Sequence, residues 1–148
     1  MGNIVFNRAL GVTAYYASLP AANDALILVP LEATGLVADS TMRDYDDLAT
    51  LLAGASNEQT TMGRKTLASV TVTVDDTNDR VAIDAADITW TAATGNAISA
   101  LVICYDPDTT TGTDSDLIPL SKHDFAITPD GSDVTATVAD LIRATSAA

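Results

Sequence analysis

The sequence predicts an α+β, β-rich fold: an antiparallel sandwich or barrel-like sheet with one well-formed helix at about residues 41–53. Three observations lead there. From Leu67 onward apolar and polar residues alternate with the period of a strand that has one wet face. Clusters of Asp, Asn, Gly and Pro interrupt these runs at short intervals, the spacing of a sandwich or barrel. One stretch in the first half has the period and end signals of a helix.

The elements follow in order. Ile4 to Arg8 reads as a short strand, and Gly11 to Leu19 as a short helix ending before Pro20. Ala25 to Leu31, ALILVPL, is a continuous apolar run, as in a strand covered on both faces; Pro30 marks an edge or a strand end. Thr41 and Asp44 have the spacing of a capping box, with Asp39 and Ser40 as alternative caps. Tyr45, Leu48, Leu51 and Leu52 then form one apolar stripe that Gly54 stops. Asn57 to Arg64 is polar and reads as a loop. Val70, Val72 and Val74 define a strand, DDTND a turn, and Val81 and Ile83 the returning strand. Asp87 to Asp106, DITWTAATGNAISALVICYD, reads as a hairpin about the TGN turn, with Trp90 and Cys104 in the core. PDTTTGTDSD is an exposed loop, Leu117 to Ile127 a strand with Pro119 at an edge or bulge, and PDG a turn. Val134 to Val138 closes the sheet and a tail runs to Ala148.

A chain of 148 residues with 47% hydrophobic side chains fits a single domain, residues 1–148, with a real core. Aromatics are 5%, so Val, Ile, Leu and Ala must fill it. Seven Lys and Arg against 20 Asp and Glu leave a net charge of -13. That charge opposes nucleic acid and anionic membranes, whose phosphates need basic partners. No apolar run has the length of a membrane span, and no signal peptide opens the sequence. Gly2 follows Met1, but neither Phe6 nor Asn7 supplies the Ser or Thr of a myristoylation motif. Folding in a cytoplasm is the expectation.

Motifs for chemistry are sparse. Cys104 is the single cysteine and sits in the apolar run LVICY, as a buried inert thiol would. His123 is the single histidine; Ser121, His123 and Asp124 lie too close on one strand to converge as a triad, since neighbours point to opposite faces. The DDTND and DPDTTTGTDSD loops are rich in oxygen ligands without the spacing of a calcium-binding EF-hand loop. Glycine loops for phosphate or dinucleotides are missing. The expectation is a non-enzymatic protein with no cofactor and no metal.

The segments NIVFNRALGVTAYY, ALILVPLEATGLVADSTMRDYDDLATLLAGASNE and TVDDTNDRVAIDAADITWTAATGNAISALVICYDPDTTTGTDSDLIPLSKHDFAITPDGSDVTATV resemble small virion proteins of tailed bacteriophages, especially those infecting actinobacteria. RDYDDLATLL, DDTNDRV, ITWTAA and CYDPDTTTGTDSDLIPLSKHDF are the most specific pieces, and none is a catalytic motif. The resemblance implies a capsid decoration (cement) or minor capsid protein, made in the host cytoplasm. It would bind the outer surface of the head and stabilise the shell through the major capsid protein and neighbouring copies. A homotrimer fits the three-fold positions of a shell. A tail-associated or receptor- or glycan-binding module is the alternative, and a small entry hydrolase a further one. The partner-interface candidates are Phe6, Tyr15 and Tyr16 near the N-terminus, and Leu141 and Ile142 where the tail begins; core packing is the competing reading of each. The adjacent pair Arg64 and Lys65 reads either as a dock for a partner's carboxylate or as a solvated loop.

Overall fold

The central layer is a five-stranded antiparallel sheet in the order β1-β8-β7-β2-β3, seen in a computed structural model that describes residues 2–7, 12–18, 23–54 and 56–145. Its strands are β1 (Ile4–Val5), β2 (Ala25–Glu32), β3 (Lys65–Thr66), β7 (Ile98–Asp106) and β8 (Ile118–Ile127). Between them in sequence come β4 (Thr71–Asp75), β5 (Arg80–Asp84) and β6 (Ile88–Trp90). After them come β9 (Val134–Ala136) and β10 (Ile142–Thr145). The helices are short: α1 (Thr13–Ser18), α2 (Asp39–Met42) and α3 (Leu48–Ala53).

The central sheet is covered on both faces, which explains the unbroken apolar runs of β2 and β7. On one face Ile27, Val29, Leu31, Ala100, Val102 and Cys104 pack beneath Phe6, Met42, Leu48 and Leu51. On the other, Leu26, Leu28, Leu101 and Ile103 meet a second layer built from the sheets β10-β5-β4 and β6-β9. Trp90 sits in that second core, its indole N–H donating to the Gly63 carbonyl at 3.0 Å. The predicted β-rich, antiparallel α+β architecture is what the chain adopts.

Several local expectations are corrected. The single helix at 41–53 is two helices, α2 and α3, separated by a turn. Asp47, not Thr41, caps the second: its carboxylate accepts from the Thr50 N–H at 2.7 Å and the Thr50 hydroxyl at 2.9 Å. Asp44 instead accepts from the Asn7 amide. Asp side chains bond their own backbone better at a cap than in a helix interior, so the run of acids breaks the helix before Leu48. The hairpin expected across Asp87 to Asp106 does not form. β6 pairs with β9, whereas β7 pairs with β2 and β8, so Trp90 and Cys104 are buried on opposite sides of the central sheet. The segment after Leu141 is no free tail, because β10 pairs with β5 from Ile142 to Thr145. Residues 146–148, and the parts of the expected early strand and helix at Arg8, Gly11 and Leu19, lie outside the described residues.

Pro30 in β2 and Pro119 in β8 sit where their missing N–H is harmless. The Pro30 carbonyl accepts from Gln59 N–H, so that side of the residue faces a loop rather than a ladder. Next to Pro119 the pairing of β7 with β8 shifts by one residue, a bulge at the position expected.

Candidate functional site

The β10-β5-β4 sheet is half over the core and half beyond it. Residues opposite each other across a ladder share a face. The register therefore puts Val72, Ile83 and Ile142 at one level and Val74, Val81 and Ala144 at the next, all on the inward side. Burial falls along this face: Ile83 is buried, Val72 and Ile142 are half-buried, and Val74 is 67% exposed. The apolar alternation of VTVTVD thus runs past the core that would use it. Helix α1 lies against β4 and β5, and an apolar cleft of about 330 Å³ lies between Val5, Thr13 and Ala14 on one side and Val81, Ile83 and Ile142 on the other. Among the described residues the large hydrophobic side chains left exposed are Val12, Tyr15 and Val74, all on or beside α1 and β4. β4 is an edge strand, and no described residue pairs with its outer side.

The sequence-derived candidates divide on this map. Tyr15 is 61% exposed and its ring meets Tyr16 edge-on, with centroids 5.7 Å apart. Tyr16 is half-buried against Tyr105. Phe6 is fully buried and Leu141 nearly so; both are core residues and not available at the surface of the folded chain. Ile142 is half-buried and lines the apolar cleft. Arg64 is held by carboxylates of this chain. Its guanidinium bonds Glu58 and Asp114 at 2.6 Å each, which ties two loops together and holds it firmly in the charged form. Lys65 is half-buried in β3.

Lys122 and its neighbours are engaged internally. The Lys122 ammonium has no solvent exposure and lies 2.8 Å from both Asp39 and Asp124. Burial raises the Asp39 pKa, but hydrogen bonds from Lys122 and the Gly2 N–H, with the Lys122 charge, outweigh it and hold the carboxyl below its ordinary value. The same clamp fixes the N-terminal strand: Asn3 accepts from the Asp124 N–H, and the Phe6 N–H donates to Leu120. Nothing in the apolar-looking run LIPLSKHDF signals the clamp beyond an out-of-place lysine.

Ser121 and His123 do meet, with 3.0 Å between the hydroxyl and Nε2, because both lie on the face opposite Lys122 and Asp124. Asp124 is across the sheet and pairs with Lys122, so the triad expected not to converge lacks its acid at the imidazole. Ser121 is 1% exposed. Burial, then the Lys122 charge, keeps the imidazole pKa below its usual value. The loop carboxylates serve turns: Asp75 accepts from Thr77, Asn78 and Arg80, and Asp108 from Thr110 and Thr111. Among the described residues no three His, Cys, Asp or Glu side chains gather in a way that would hold a metal ion. Burial drives the Cys104 thiol pKa far up, so this sulfur is a poor nucleophile.

No family model, no curated protein and no solved structure matches the chain.

Proposed function

We propose that the chain is a non-enzymatic virion protein that decorates the outer surface of a tailed-phage head and stabilises the shell through the major capsid protein and neighbouring copies. The observation that carries an assembly role is the apolar overhang at α1 and β4. Val12 and Val74 keep purely apolar surface in water, beside the exposed Tyr15, and a protein that docks gains from covering such surface. The net charge of -13 supports an outward-facing place, since phosphate repulsion penalises the DNA side of a shell. The likeness of RDYDDLATLL and CYDPDTTTGTDSDLIPLSKHDF to phage virion proteins points the same way. A cement protein works by small contacts repeated many times over a lattice.

The test is the heat stability of phage particles with and without the chain. Under this reading, particles lacking it release their DNA at a lower temperature, and adding back the purified protein restores them. Unchanged heat stability with impaired adsorption to cells would replace this reading with the tail or receptor-binding one.

A further inference from the structure

We infer that Lys122 and Asp39 form an intramolecular amide: after folding, Lys122 Nζ attacks the Asp39 carboxyl, one water leaves, and Asp124 carries the protons. The inference stands on the buried clamp and does not need the virion assignment.

The clamp holds a nucleophile, an electrophile and a proton carrier together. Lys122 lies opposite Ile4 on β1 and Val102 on β7, so its side chain rises on the face of the central sheet that Phe6 and Met42 cover. Its amine has no exposure to water, an uncommon place for lysine. Asp39 comes down from α2, 83 residues away in sequence. Its Oδ1 lies 2.8 Å from Nζ, and its Oδ2 accepts from the Gly2 N–H at 2.8 Å. Asp124, on the same strand as Lys122, holds its own Oδ1 2.8 Å from the same nitrogen. The two carboxylates are not equivalent. Asp39 is the less exposed, and a backbone donor already sits on the oxygen that becomes the amide carbonyl. Asp124 is open to water and can exchange protons.

The step balances within the clamp. Nζ gives one proton to Asp124, and the freed lone pair attacks Asp39 Cγ to form the C–N bond. The Gly2 N–H stabilises the negative charge that develops on Oδ2. The Cγ–Oδ1 bond then breaks. Oδ1 leaves as water with two of the ammonium protons, one of them returned by Asp124, and the third proton stays on the amide nitrogen. No oxidant, reductant or cofactor enters. Groups held in this way react as if at about 10⁵ M or more. The product replaces a buried ion pair, which is costly to desolvate, with a neutral amide, and the carboxylate left over is the one that water reaches. Burial raises the Asp39 pKa, but the Lys122 and Gly2 hydrogen bonds outweigh it. The reactive neutral acid is therefore the minor form, and the freshly folded chain carries the ion pair.

Intact-mass spectrometry of the denatured full chain, fresh and after days at neutral pH, tests the inference. The aged chain should be lighter by one water, and proteolysis should yield one branched peptide joining the Asp39 and Lys122 segments. Asp39→Asn should form the same bond with loss of ammonia in place of water, which separates it from dehydration at Asp130 before Gly131. Asp39→Ala and Lys122→Arg should keep their full mass. Asp124→Asn should slow the reaction by roughly 100-fold while its far-ultraviolet circular dichroism spectrum stays that of the unaltered chain. An aged chain of unchanged mass, a water lost without the branched peptide, or a bond formed as fast in Asp124→Asn would each overturn the proposal. None of these results bears on where the chain sits in a virion, which the particle-stability test decides.

Discussion

Removing Asp39 should harm the fold more than removing the lysine it holds. The Lys122 ammonium is completely buried and has two anions at 2.8 Å, whereas the Asp39 and Asp124 side chains are 18% and 39% exposed. Breaking a buried pair costs roughly 3–5 kcal/mol when it strands a charge. In Asp39→Ala the stranded charge is the cation, with only the more exposed carboxylate left to balance it, so the expected loss is about 2–3 kcal/mol. Lys122→Met instead removes the buried charge and leaves two carboxylates that water can reach, so the expected loss is about 1 kcal/mol or less. In the Lys122→Met background Asp39→Ala should cost only about 0.5 kcal/mol, a non-additivity that reports the direct contact. The pH dependence follows with a definite sign. The Asp39 pKa is lowered in the fold, so its contribution is fully present above its unfolded value and is lost as pH falls through the lower folded one. Lys122→Met should flatten that acid loss. Urea unfolding followed by the fluorescence of Trp90, the single tryptophan and 2% exposed, measures all three variants. If Lys122→Met is more destabilising than Asp39→Ala, the reasoning about which charge is stranded is wrong.

Three further outcomes are expected. Gly95→Ala should destabilise by about 1–3 kcal/mol, because Gly95 has φ +112° and an added Cβ would collide with the buried Gln59 amide; thermal unfolding reads the shift. The His123 imidazole should titrate below its ordinary value in a proton NMR series, so its share of stability is lost as pH falls from the unfolded pKa to the lower folded one; a midpoint above 6.5 would contradict its burial. Cys104 should resist thiol reagents in the native protein and react at once in denaturant; ready native labelling would contradict its place in the core.

What could be read from the sequence was decided by local chemistry. The alternation in VTVTVD and RVAID reports a pleat with one dry face, and DDTND between them leaves a hairpin as the simple solution, which β4 and β5 form. Pro119 and Gly54 act through their own backbone, and both mark the irregularity or stop they predict. What failed was decided at long range. Trp90 and Cys104 flank a good turn, yet β6 prefers β9, and no local signal distinguishes two apolar runs that pair from two that part into different layers. The helix at 41–53 failed for a reason present in the sequence: Asp47 is a better cap for Leu48–Ala53 than an interior residue, and it outcompetes Thr41. Of the interface candidates, Phe6 and Leu141 share the apolar character of any core residue, so only the packing separates them from Tyr15. Val74 was visible as the last member of an alternating run, but its exposure depends on where the core ends.

Immunogold labelling of intact particles tests the central claim most directly. Antibody to the chain would be applied to phage particles released by cells that express it from its native locus, and the label read by electron microscopy. The account predicts gold spread evenly over the head. Label confined to the tail or its tip, or particles free of label, would contradict it.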